Sequence, residues 1–231
     1  MYRQLGEAEI ARRCVLAAAD VAAAIGNLSQ HHALEALLGH MAAEAGRFAE
    51  AERLIAPAVD FLDANRQRFA LCEALYFLAD LRERQGRAEQ AHALANRAQG
   101  AAAGLPRPDV LFRAELMRTR LAPTLGAVTP AEAARRLELM LNECPEPGHR
   151  AAIHYELWRL CRERAEDRAE AARLYRQLYS VGPGQLFRDR YHELTAETLP
   201  AVSVPPPPEP VRRLVGAELP RSGEAPATRL D

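Results

Sequence analysis

Gly46-Arg47-Phe48-Ala49-Glu50-Ala51 is answered forty residues later by Gly86-Arg87-Ala88-Glu89-Gln90-Ala91. Each segment is a breaker followed by an alanine-led, helix-favouring run. The same beat falls at Gly6 and Gly126 and again at Glu166, with an alanine five residues on in every case: Ala11, Ala51, Ala91, Ala131 and Ala171. Self-similarity at a fixed period of twenty to fifty residues marks an array of supersecondary units that bury their apolar faces only by stacking. The predicted fold is therefore all-α, a row of antiparallel helix pairs.

Composition agrees. Of 231 residues 48% are apolar, yet only 6% are aromatic. Alanine carries much of the burial, which suits close helix packing and excludes a β-rich fold built on branched and aromatic residues. The formal charge of −1 gives no general attraction to phosphate backbones or anionic lipid, so neither nucleic acid nor membrane is an implied partner. All thirty basic residues are arginine, which removes Schiff-base and phosphate-loop lysines from any catalytic scheme. Cys14, Cys72, Cys144 and Cys161 lack the paired spacing of zinc or dithiol sites and read as reduced thiols. The start of the chain lacks the design of a signal peptide, so the expected location is cytoplasmic.

Along the chain, Ile10, Cys14, Val15, Ala18, Val21, Ala22 and Ile25 predict a helix over 7–25 that Gly26 ends. Helix pairs follow over 29–45 and 48–62, then around Leu75 and Leu94. A third pair spans 110–121 and 130–142, and a fourth 150–165 and 168–181. Thr129, Pro130 and Glu132 have the spacing of a capping box with proline at the first helical position. These divide residues 1–198 into a half repeat (1–26), four repeats (about 27–65, 66–106, 107–147 and 148–183) and a capping helix (184–198). Residues 199–231, with the run Pro205 to Pro208, read as a disordered proline-rich tail.

These columns resemble the tetratricopeptide repeat (TPR). The resemblance rests on Leu38-Gly39 and Leu78-Ala79 before the turn, Gly46-Arg47 and Gly86-Arg87 at it, and Glu50-Ala51 after it. Trp158 stands in the leucine column and Pro183 at the closing position. The usual period of that family is shorter, and the forty-residue version is similar to arrays in bacterial transcription regulators and signalling proteins. The resemblance implies a TPR-like α-solenoid whose first helices line a protein-binding groove. On this sequence the groove positions are His40, Glu73, Tyr76, Asp80, Glu83, Arg113, Leu116, Arg120 and Glu156. The lysine and asparagine clamp with which some members hold a carboxylate is not reproduced.

The implied function is a non-catalytic scaffold for a peptide or protein segment, with self-association left open. The alternative is a regulatory or sensor segment of a multidomain signalling protein. Arg113 and Arg120, seven residues apart, lie on one helix face and are placed either to fork onto a ligand anion or to pair with local acids such as Glu115. His31, His32 and His40 lack the four-residue spacing of a zinc pair, and no cofactor is implied. His154, Tyr155 and Glu156 fan around a helix and do not converge as acid and base. Trp158 reads as core.

Overall fold

The computed structural model describes residues 6–162 and 164–201, together with Glu209 and Arg213. Among them the chain forms ten helices and no strand: α1 (Ala8–Ala24), α2 (Leu28–Glu44), α3 (Phe48–Ala64), α4 (Arg68–Arg84), α5 (Ala88–Ala102), α6 (Pro108–Leu121), α7 (Pro130–Glu143), α8 (Pro147–Leu160), α9 (Ala165–Val181) and α10 (Gln185–Thr195). The predicted tail beyond 201, apart from those two positions, lies outside the described residues.

The forty-residue beat is two beats of twenty. Gly6, Gly26, Gly46, Arg66 and Gly86 all have positive φ, and each is followed two residues later by the first residue of a helix. At the turns after α1 to α4 the N–H of the next residue reaches back five positions: Asn27 to Ala22, Arg47 to Ala42, Gln67 to Leu62 and Arg87 to Arg82, at 2.8 to 2.9 Å. This is the Schellman closure, in which a left-handed residue lets the chain satisfy helix-end carbonyls while reversing direction. Glycine reaches that conformation without a Cβ penalty; Arg66, at φ 55°, adopts it as a non-glycine residue.

Every helix packs on its chain neighbours. The even-numbered ones also pack on each other, α2 on α4, α4 on α6 and α6 on α8, whereas the backbones of consecutive odd-numbered helices stand apart, α3 and α5 being joined by the Asp63–Arg97 ion pair at 3.0 Å. Two layers with unequal spacing bend toward the tighter one, so the even layer lies on the inside of the curve. The curve runs far enough that the turn at Gly6 meets the start of α10, where a Cβ on Gly6 would sit 3.2 Å from Gln185 Oε1.

Alanine spacing sets the close approach. Ala51, Ala91 and Ala171 are wholly buried and Ala11 nearly so. Ala131 is exposed instead, because α7 starts four residues after Gly126 rather than two; Ala133, fourth in its helix like Ala51 and Ala91, is the buried one. The beat at Glu166 likewise fails as a turn. Helix α8 runs 147–160 rather than 150–165, and Glu166 sits in the first turn of α9. Pro123, Pro130 and Pro147 reset the register, since proline favours helix starts and breaks interiors. The capping box forms: Thr129 Oγ1 accepts from Glu132 N–H, and the Glu132 carboxylate accepts from Thr129 N–H at 2.7 Å.

Beyond α7 the packing changes character. Tyr155, Trp158, Tyr175, Tyr179 and Tyr191 build one aromatic core with Leu194 and Leu199. The Tyr179 hydroxyl donates to the Pro200 carbonyl. The packed body thus extends two residues past the expected start of the tail.

Candidate interaction face

The nine groove positions come from α2, α4, α6 and α8, the four helices of the inner layer. Helix periodicity explains their grouping. Glu73, Tyr76, Asp80 and Glu83 recur at three and four residues along α4, as Arg113, Leu116 and Arg120 do along α6, so each set forms one stripe. Packing of the even helices then lays the stripes side by side.

The stripes are occupied with one another. His40 stacks on Phe77 with ring centroids 4.3 Å apart and places Nδ1 3.5 Å from Asp80. Asp80 also receives Arg84 Nε at 2.6 Å. Glu83 accepts from Arg120, whose other terminal nitrogen donates to Glu156 at 3.2 Å. The Glu73 carboxylate lies 3.0 Å from Arg107 and 3.4 Å from Arg113. The Arg113 guanidinium covers the Tyr76 ring at 4.6 Å. Leu116 packs under this layer with Leu137, Ile153 and Leu157. Arg113 and Arg120 therefore pair with acids, but not with Glu115, which takes Arg118 and Arg136 on the other side of α6.

The result is a ladder of polar contacts crossing from α2 to α8, its ion pairs running from α4 onward. Burial sets its electrostatics. Glu156 is only 4% exposed, and Arg120 is the one guanidinium between it and Glu83. Burial outweighs that cation at Glu83 and pushes its carboxyl above the ordinary range. Burial, reinforced by Asp80, likewise raises the Tyr76 hydroxyl.

The ladder continues through residues that periodicity alone did not single out. Arg159 lies 3.4 Å from Glu156 and 5.7 Å from the Tyr155 ring. Arg190 of α10 lies over the same ring, 4.0 Å from its centroid. The Tyr155 hydroxyl donates to Glu193 at 2.6 Å, and burial with this bond pushes its pKa up to about 12. The signal that finds these residues is spacing on α8 and α10 once α8 is known to border α6 and α9, and α10 to border α9.

His154, Tyr155 and Glu156 face three different partners. His154 Nδ1 meets Asp167 of α9 at 2.6 Å, Tyr155 meets α10, and Glu156 meets α6. The His154 Nε2 is buried and has no hydrogen-bond partner among the described residues. This pair fastens α8 to α9, with Arg164 Nε on the far Asp167 oxygen at 2.5 Å. Trp158, 8% exposed, is core, with the Arg162 guanidinium 4.1 Å above it.

Among the described residues no group of three His, Cys, Asp or Glu side chains is placed to hold a metal ion, and no helix is long and apolar enough to cross a membrane. His31 contacts the Ala19 carbonyl and His32 the Glu35 carboxylate. All four cysteines are free thiols, and burial raises that of Cys72. No protein-family model, no curated protein and no solved structure matches the chain.

Proposed function

We propose that the chain is a TPR-like α-solenoid serving as a non-catalytic scaffold that receives a peptide or protein segment along the inner face of its even-numbered helices. One observation carries this reading: residues from α2, α4, α6 and α8, up to 116 positions apart in His40 and Glu156, gather on a single inward stripe. Such a surface, long, polar and carrying Tyr76, suits an extended chain better than a small substrate.

The pairing decides which residues a ligand meets. Arg120 and Glu156 are committed to each other and to the fold, so their loss tests stability before binding. Arg84 and Arg159, with side chains 40% and 43% exposed, rim the same face and remain open to a visitor. The test is affinity capture from the native host with the Arg84→Glu, Arg159→Glu double variant, its helicity checked by circular dichroism. Wild type should retain a protein partner that the folded variant loses. Equal recovery from both would count against this face.

An uncovered apolar edge favours a second reading, that of a regulatory segment packed against another folded body. Leu16 and Val21 of α1, Ile25 just after it and Leu28 of α2 are all at least 42% exposed at one end of the row. Replacing Val21 and Ile25 with glutamate should weaken such packing while leaving capture on the inner face intact.

A further inference from the structure

The row ends unevenly at α1. Every other odd-numbered helix lies between two even ones, α3 between α2 and α4, α5 between α4 and α6, α7 between α6 and α8, and α9 between α8 and α10, whereas α1 packs on α2 alone among the ten helices. Ala11, Ala19 and Ala22 are buried where α1 meets α2. The far side of α1 carries Arg13, Leu16, Ala17, Asp20, Val21 and Ala24, at helical spacings of three and four. Leu16 and Val21 are 42% and 50% exposed, large apolar side chains that a row of stacked helices would otherwise cover.

Reversed end for end, this side is its own complement. Helix α1 runs Ala8–Ala24, so Leu16 is its middle residue. Laid antiparallel against a copy of itself with the two midpoints level, Leu16 and Ala17 of one copy meet Ala17 and Leu16 of the other, and Arg13 lies across from Asp20 at both ends. Arg13 and Asp20 are seven residues apart, two helical turns, so both point to the same side with the small Ala17 between them.

The charges fit that arrangement. Arg12 and Arg13 share one carboxylate, that of Glu9, at 3.5 and 2.9 Å. Asp20 is exposed and has no ionic partner among the described residues. A guanidinium holds five N–H donors, so Arg13 can donate to Asp20 of a second copy and keep its existing contacts. A parallel pairing would instead set Arg13 beside Arg13 and Asp20 beside Asp20, which like charges oppose.

We propose that the open side of α1 is a self-association face, on which a second copy of this chain lays its own α1 antiparallel about a two-fold axis near Leu16. Such a contact uses the same patch on both copies and closes at two. Leu16 and Val21 supply the apolar area, Ala17 the close approach, and the two Arg13–Asp20 crossings the direction. One helix from each copy makes a small interface, so the dimer is expected to be weak, with a Kd of about 10 µM. The inference rests on the second reading above, in which this edge is an interface, and names the occupant; it is independent of the inner face.

The experiment is sedimentation equilibrium of the full chain across concentrations that bracket that Kd. The mass should rise from 25.5 kDa toward twice that value. Asp20→Arg opposes cations at both crossings and Arg13→Asp opposes anions, so each variant alone should associate about tenfold more weakly, with helicity unchanged by circular dichroism. An equimolar mixture of the two should recover the dimer, because every crossing then joins an arginine to an aspartate. That recovery belongs to a paired second copy and not to a partner of other sequence. A monomer at every concentration, single variants that associate like wild type, or a mixture no tighter than its components would each overturn the inference. The broader edge reading would outlast that result if the Val21, Ile25 glutamate variant still lost a host protein that wild type captures.

Discussion

Helices α1 to α5 and helices α8 to α10 meet the same packing demand with opposite side chains. In the first region alanines, among them Ala42, Ala43, Ala51, Ala58, Ala79, Ala91 and Ala95, alternate with aliphatic side chains such as Ile55, Leu62, Leu75 and Leu81, and the helices stand at one twenty-residue interval. In the second, Tyr155, Trp158, Tyr175, Tyr179 and Tyr191 fill the space, and helix lengths run from 11 to 17 residues. Small side chains bring backbones close, and close backbones tolerate little variation in register. Large rings bridge wider and less regular gaps, and their hydroxyls find polar partners at the edges. Strict periodicity and alanine packing are thus one fact seen twice, and the lapse after Gly126 marks the change between the two modes.

The region between them is where the comparison is most easily broken. α6 and α7 pack thinly, and the Glu83–Arg120–Glu156 ladder ties α4 to α8 across that gap. Arg120→Ala leaves the buried Glu156 with Arg159 alone and strips the partly exposed Glu83 of its cation; since losing one partner of a fully buried ion pair typically costs about 3 to 5 kcal/mol, the loss here should fall toward or below the lower figure. Urea unfolding should show that loss and should separate into two transitions, the alanine-packed half from the aromatic one. A single transition within about 1 kcal/mol of wild type would show that the halves are joined by other means.

Close approach in the first region gives the next largest effect. A Cβ at Gly39 would lie 2.5 Å from Ile55 Cγ1 and 3.1 Å from the Ala51 carbonyl oxygen, so Gly39→Ala forces α2 from α3. Overpacking of this kind costs about 1 to 3 kcal/mol. Gly100, with nothing within 4 Å of its added Cβ, is the control. There the same change should stabilise by roughly 0.5 to 1 kcal/mol, the helix preference of alanine over glycine. Equal and opposite signs in denaturant melts would confirm that interhelix distance, and not helix propensity, governs Gly39.

Arg66 sharpens the turn rule. It holds the left-handed position that glycine fills at the beats on either side, so Arg66→Gly should raise stability by about 0.5 to 1 kcal/mol, the relief of strain less the added freedom of the unfolded chain. A fall instead would mean that the Arg66 side chain does more than its backbone suggests.

The smallest effect separates the two kinds of carboxylate. Glu52 of α3, bonded by Arg82 of α4, is held below its ordinary value of 4.5. Its contribution to stability is full above 4.5 and disappears as pH falls through the lowered midpoint. Glu83 is raised by burial, so its ionised form costs stability, a cost absent below 4.5 that grows as pH climbs through the raised midpoint. Carbon-13 titration of the two carboxyls should place the Glu83 midpoint above that of Glu52. Because the Glu52 side chain is 39% exposed, its loss as Glu52→Gln should cost under about 1 kcal/mol.

Much of the helical layout was legible because its determinants are local. A glycine at a left-handed turn, a proline at a first helical position and the Thr129–Glu132 box act over three to six residues, within the span a sequence displays. Glu166 and Ala131 show where that logic ends. Forty-residue counting continued through them, but the starts of α7 and α9 had shifted. The groove stripe was legible as spacing on each helix. Its pairing was not, because Arg120 is separated from Glu83 by 37 positions and from Glu156 by 36.

The sequence by itself determined that this chain is helical, where most helices begin and end, and which residues share a face, since these follow from backbone sterics and the 3.6-residue period. Only the tertiary structure decided that the even helices form the inner layer, that the inward charges neutralise each other, and that three adjacent residues, His154 to Glu156, serve three different helices. Those outcomes depend on distances between helices, and such distances are set jointly by every side chain that fills the space between them.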